Sequence, residues 1–216
     1  MQTSGQAGTT RIEFIYEAKM ERKVKIAITG GIGSGKSTAL SLVKELGFAC
    51  FSCDEIYKEV QTKAEYIEKI YKRFPSAVVE GNIDKKILSN IVFHNPSDLE
   101  DLNKISHPYI MNALYKHMDE ATSYLVFAEV PLLFEGGYQN NFDYVFIIER
   151  DLNDRIKSVQ LRDGLSKDKI EDRIKNQFDY SSVDENSKTI KIKNCKSKEE
   201  LFEILKDVIS KIPMPL

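Results

Sequence analysis

Residues 30 to 37 read Gly-Gly-Ile-Gly-Ser-Gly-Lys-Ser and match G-x-x-x-x-G-K-[ST] in full. Such a run wraps a phosphate. Glycines let successive backbone N–H groups approach the anion, and the N-terminus of the helix that follows adds partial positive charge. In this pattern Gly31, Ile32, Gly33, Ser34 and Gly35 form the cradle and Lys36 reaches the β- and γ-phosphates. Ser37 offers its hydroxyl to Mg²⁺, and Thr38 stands beside the α-phosphate. The loop predicts nucleotide binding and says nothing about the acceptor.

Two acids have addresses suited to phosphoryl transfer. Asp54 follows the apolar run Phe48 to Ser52, at the carboxyl edge of a predicted strand, where ligands bind in open α/β sheets. There it can take the proton of an attacking hydroxyl or organise Mg²⁺, or it can instead cap a helix beginning near Glu55. Glu129 follows the strand-like Tyr124 to Ala128 and stands either as a metal-side acid or as a structural carboxylate. Arg155 and Arg162 are seven apart, two helical turns or ~10.5 Å along one face, so both can aim at one anion. Residues 151 to 175 also hold six acids, which makes a salt-bridged face the competing account. Function is favoured for Arg162, then for Arg155, and structure for Arg173. His107 precedes Pro108 with no nucleophile pattern beside it, and His94 and His117 have no partner pattern.

These residues need a scaffold, and the pattern supplies one. Val24 to Thr29 is a strand-sized β-favourable run, the glycine loop follows, and Leu40, Val43 and Leu46 keep helical spacing up to Gly47. With Phe48 to Ser52 this makes a βαβ unit. Tyr124 to Ala128, Tyr144 to Ile148 and the weaker Thr189 to Ile192 complete five parallel strands. The expected fold class is α/β, a three-layer P-loop type with helices on both faces of the sheet. Core segments are expected near 24–58, 122–150 and 186–212, with a helical insertion near 59–121, where no strong strand occurs. A charged, turn-rich segment near 151–185 suits a mobile lid. Ser197 and Glu200 form a capping box for a last helix.

Composition sets the outer bounds. The chain has 216 residues, 42% of them hydrophobic, with 31 basic against 33 acidic residues and a net charge of −2. That gives no general attraction to nucleic acid or to an anionic membrane, so small-molecule partners are expected. No apolar run approaches the ~18–20 residues of a membrane span, and no secretory signal pattern is present, which makes the cytoplasm the expected location. Residues 1–19 read as a leader or tag-like extension ahead of a single domain at 20–216. Cys50 and Cys53 form a C-x-x-C, yet a strand sends positions three apart to opposite faces, and no second ligand pair completes a zinc set. Packing is the expected role for both.

Taken together, residues 24 to about 208 resemble the bacterial dephospho-CoA kinase family. The resemblance rests on ITGGIGSGKST at 28–38, Asp54, GNIDKKILSNIVF at 81–93, His107-Pro108, PLLFE at 131–135 and RIKSVQLRDGLS at 155–166. It implies ATP-dependent phosphorylation of the ribose 3′-hydroxyl of dephospho-CoA, with Mg²⁺, by a monomer or small homo-oligomer. It further implies that Asp54 is the base and that Arg162 is a lid contact to phosphate. His107, Leu132, Glu135 and Arg155 line the acceptor site in the same reading, and Gln177 matches a glutamine after the lid. The chain departs from the family in having Ser52-Cys53-Asp54 for Asp-Ala-Asp and Lys85 for Arg. Asn194 matches an asparagine near the last strand. A nucleoside or nucleoside-monophosphate kinase is the alternative within the class. A regulatory NTP switch is the alternative outside it, although Asn194 to Ser197 lacks the N-K-x-D base-reading motif.

Overall fold

A computed structural model describes residues 22–194 and 197–213. The extension assigned to residues 1–19 lies outside them, as does Cys195. Five parallel strands form the sheet: β1 (Val24–Thr29), β2 (Ala49–Ser52), β5 (Leu125–Glu129), β6 (Tyr144–Glu149) and β7 (Thr189–Lys193), in the order β2-β5-β1-β6-β7. The remaining two, β3 (Val78–Val79) and β4 (Asn82–Ile83), make a separate hairpin whose turn holds Glu80 at φ 49° and Gly81 at φ 78°. At two residues each, they are too short to leave a periodic signal, and the sequence did not indicate them.

β1 is the central strand because both of its neighbours bury it, and residues Ile26 to Thr29 are fully buried. Alternation sorts its side chains. Ile26 and Ile28 join Leu125, Phe127 and Phe146 beneath α1 (Lys36–Glu45) and α8 (Lys198–Ser210), through Leu42, Leu201 and Leu205. Ala27, Val126 and Ile147 point the other way, toward α2 (Cys53–Val60), α3 (Ala64–Arg73) and α5 (Pro96–Glu120) through Val60, Ile70 and Leu114. Each fully buried aliphatic side chain contributes ~1.5–3 kcal/mol, so the two faces share the stabilisation of the sheet. Cys50, in β2, packs on the first face, and Cys53, which opens α2, packs on the second.

Between β2 and β5 the chain is helical apart from the hairpin, running through α2, α3, α4 (Lys85–His94) and α5. Asp84 caps α4 by accepting from Lys86 and Ile87 N–H, and Asn95 with Pro96 opens α5. After β6 come α6 (Leu152–Asp163), which ends on Gly164 at φ 65°, and α7 (Lys167–Lys175). Their small core of Ile156, Val159 and Ile170 also packs Ile32, so the glycine loop is anchored into this helical pair. Ser197 Oγ accepts from Glu200 N–H at 3.2 Å, as the capping pattern predicts.

Strand register brings the chemistry to one edge. Ser52 lies opposite Glu129, and Glu129 lies opposite Ile28, two residues before the glycine loop. Ligands in such sheets bind at the carboxyl ends beside the point where strand order reverses, and here β1 lies between β5 and β6, with β2 beyond β5 on one side and β7 beyond β6 on the other.

Candidate active site

Two loop glycines are required by their surroundings. Gly35 has φ 98°, and a Cβ there would come within 2.3 Å of Asn194 Nδ2, the amide that donates to Ser34 O at 2.8 Å. Gly30 has φ 143°, and its Cβ would meet Ile148 O at 2.4 Å. Lys36 folds back over the loop and donates to Gly30 O at 2.8 Å and Gly31 O at 3.1 Å. Burial holds its pKa below the ordinary lysine value; the Glu129 carboxylate opposes that shift, while Arg155 and Arg162 add to it. No side chain caps α1, so its first amides remain for an anion.

A cavity of about 360 Å³ opens over the loop and is lined by Lys36, Ser37, Thr38, Asp54, Glu129 and Arg162, among others. Beside it lies an apolar cavity of about 150 Å³ bounded by Cys53, Tyr57, His107, Leu132 and Tyr138. Asp54 and Pro131 line both. The loop motif and the strand-end acid therefore meet where the sequence placed them, with the acid at the junction of a polar and an apolar space.

Several expectations change in detail. Asp54 does not cap a helix: α2 begins at Cys53, its cap is Ser52, and Ser52 Oγ accepts from the Asp54 N–H at 3.2 Å. The Asp54 carboxylate is left exposed to the cavities. Glu129 is the last residue of β5 rather than the residue after it, because the ladder to β1 and β2 continues through it. Burial pushes its carboxyl pKa up; Lys36 pulls it down, Asp54 pushes it up, and Arg162 pulls it down.

Arg155 and Arg162 do not share a target, although they share a helix face. Arg155 Nε donates to Ile32 O at 2.9 Å and its guanidinium covers Gly31, whereas Arg162 makes two bonds to Asp163, at 2.7 and 2.9 Å. Long side chains diverge from neighbouring Cβ positions, which spacing along a helix does not capture. Arg155 is thereby placed on the loop and away from the apolar cavity. Glu135 accepts from Phe178 N–H at 3.4 Å and also stands outside that cavity's lining. His107 and Leu132 do line it, and burial holds the His107 pKa below its ordinary value against the pull of Glu135.

Further residues join the site. Gln177 Oε1 accepts from Ile32 N–H at 2.8 Å. The Tyr180 hydroxyl donates to Pro131 O at 3.1 Å and lies 3.3 Å from Thr29 Oγ1, while Phe178 stacks on Phe134 with centroids 5.0 Å apart. No local sequence pattern points to Tyr180. Arg150, the residue after β6, lines the polar cavity and was reachable by the same strand-end rule that singled out Asp54. Cys50 and Cys53 are free thiols whose pKa values burial pushes up to about 12, the opposite of a redox-active pair. Among the described residues no group of three or more His, Cys, Asp or Glu could hold a metal, and no helix is long and apolar enough to cross a membrane.

A parallel sheet with a phosphate loop after its central strand, an exposed acid just past the end of β2 and helices over both faces defines a P-loop kinase. The sequence model of the family described as dephospho-CoA kinase matches residues 24–199. The dephospho-CoA kinase of Thermus thermophilus is 31% identical over 197 residues, covering 91% of this chain and 95% of its own length. That of Fusobacterium nucleatum is 33% identical over 180 residues, 82% of this chain and 93% of its own. Among solved structures, TT1252 from Thermus thermophilus superposes with TM-score 0.75 at 30% identity, covering 89% of this chain and all of that one. Dephospho-CoA kinase from Campylobacter jejuni superposes with TM-score 0.59 at 28% identity, covering 88% and 97%. The chain belongs to the dephospho-CoA kinase family, ATP-dependent phosphotransferases of coenzyme A synthesis.

Proposed function

We propose that the chain transfers the γ-phosphoryl group of ATP to the ribose 3′-hydroxyl of dephospho-CoA, giving coenzyme A and ADP, with Asp54 as the base. The observation that carries this reading is the position of Asp54 on the wall shared by the phosphate cavity and the apolar cavity. An acceptor seated against His107, Leu132 and Tyr138 presents its hydroxyl to Asp54, while the loop and Lys36 hold the donor's phosphates. The hydroxyl proton passes to the Asp54 carboxylate as the ribose oxygen bonds to the γ-phosphorus. The bond to the bridging oxygen breaks, and its electron pair leaves with ADP. Arg162 exchanges Asp163 for the transferring phosphoryl group when α6 and α7 close, so that residues 151–185 act as a lid and residues 59–121 as the acceptor-side insertion.

The donor set also suits Mg²⁺. This ion binds through one or two carboxylates and substrate phosphates rather than an all-protein cage, and Ser37, Asp54 and Glu129 line one cavity. They would hold the ion directly or through water, and when bound it neutralises charge on the phosphates. Arg155 orders the loop through Ile32 O in this reading, and Glu135 supports the rim through Phe178. The enzyme is read as a cytoplasmic monomer or small homo-oligomer acting on small molecules.

Asp54→Asn tests the base assignment. The expected result is turnover lowered about 10²- to 10⁴-fold with ADP affinity and folding retained. Near-normal turnover in the folded variant would remove Asp54 from that role.

A further inference from the structure

We propose that Arg150 is a donor-binding residue that contacts the phosphates of the nucleotide, and that Ser158 aims it there. The inference rests on the reading of the polar cavity as the ATP site.

Ser158 and Arg162 are four apart on α6, one turn and roughly 5–6 Å between Cβ atoms, and both line the polar cavity. The position one turn ahead of Arg162 thus carries only a serine, too short to reach a ligand across the cavity. Arg150 fills that position from the end of β6. Its side-chain NH1 donates to Ser158 Oγ at 2.7 Å, which holds the guanidinium on the cavity face of α6.

Three arginines surround the loop, and they differ in what they have left to give. Arg155 uses Nε on Ile32 O. Arg162 uses two donors on the Asp163 carboxylate. Arg150 has one neutral partner, forms no ion pair among the described residues, and retains the rest of its five N–H donors for an anion. A half-buried guanidinium without a carboxylate beside a phosphate loop is the group an incoming phosphate satisfies best.

The test is ADP binding by calorimetry together with steady-state kinetics for Arg150→Ala, Arg150→Lys and Ser158→Ala. Arg150→Ala is expected to weaken ADP binding and raise KM for ATP about 10- to 100-fold, the range for a lost charge-assisted hydrogen bond. KM for dephospho-CoA should stay within about twofold, and kcat should fall less than KM for ATP rises. Arg150→Lys should recover part of the loss, and Ser158→Ala, which keeps the charge and loses its aim, should cost about two- to fivefold. An Arg150→Ala protein that melts like the parent and binds ADP within twofold of it would overturn the proposal. So would an equal rise in both KM values. A parent that fails to bind ADP, with Lys36→Ala as the control, would instead count against the nucleotide site itself.

Discussion

Gln177 Oε1 accepts the Ile32 N–H at 2.8 Å across 145 residues of sequence, so the segment leaving α7 is tied to the middle of the phosphate loop. Ile32 is tied a second time by its carbonyl, to Arg155, and a third time by its side chain in the α6–α7 core. Movement of the helical pair is therefore coupled to the shape of the loop.

Removing the Gln177 carbonyl should expose that coupling. Gln177→Ala leaves a half-buried N–H without its acceptor, at a cost of ~1–3 kcal/mol. A lower melting temperature and a KM for ATP raised about three- to tenfold are expected. Gln177→Glu, which keeps an acceptor oxygen, should restore most of both; equal defects in the two variants would show that the hydrogen bond is not what matters.

Adjacent glycines should respond differently to alanine. At Gly30 the new methyl group meets the Ile148 carbonyl at 2.4 Å, and the φ of 143° is itself unfavourable for alanine. Loss of ~1–3 kcal/mol of stability and of nucleotide binding is expected. At Gly31 the methyl group meets the far end of Arg155, at 2.3 Å from a guanidinium nitrogen, and that side chain can swing aside. Gly31→Ala should fold normally and lose ATP affinity moderately. Thermal melts and ADP titrations of the two variants check this; the opposite ranking would contradict the packing described.

Lid chemistry is tested at Arg162. Arg162→Ala should lower kcat about 10²- to 10³-fold with little change in acceptor affinity, the pattern for an interaction made mainly in the transition state. Pre-steady-state phosphoryl transfer is the measurement. Unchanged kinetics would leave Arg162 as a partner of Asp163 only.

The Cys50 thiol gives a pH test. Its pKa is raised from 9.0 to about 12, mainly by burial with Lys44 opposing, so the folded state keeps a proton that the unfolded chain has lost. Its contribution is fully present below pH 9 and is lost as pH rises from 9 through 12. Cys50→Ala should show a shallower decline in stability over that window. Peptide-resolved labelling by iodoacetamide at pH 8 should leave Cys50 nearly unmodified in the native protein, since about one thiol in ten thousand is ionised there. Rapid native labelling would contradict the burial.

What the sequence reveals depends on the range over which each signal acts. The loop was legible because six backbone-governed positions, a lysine and a serine must be consecutive to hold a phosphate. The strands were legible because burial on both faces selects continuous apolar runs, and β1 runs over Val24–Thr29 as read. Asp54 was placed correctly at the edge, but its capping alternative was not decided, since Ser52 two residues earlier is an equally good cap and only coordinates show which one bonds. The partners of Arg155 and Arg162 were not legible, because helix periodicity fixes Cβ directions and leaves three to four further torsions free. Asn194 on Ser34 O and Tyr180 on Pro131 O join residues far apart in the chain, and no local pattern encodes such bonds.

The most direct measurement is ADP formation from ATP with Mg²⁺ and a panel of acceptors (dephospho-CoA, adenosine, AMP, CMP and none), with Lys36→Ala as the control and the phosphorylated position identified by mass spectrometry and NMR. Rapid turnover with dephospho-CoA alone, yielding a product phosphorylated on the ribose 3′-oxygen, is the expected result. Turnover with a nucleoside or a monophosphate but not with dephospho-CoA would contradict it, as would ATP hydrolysis indifferent to any acceptor.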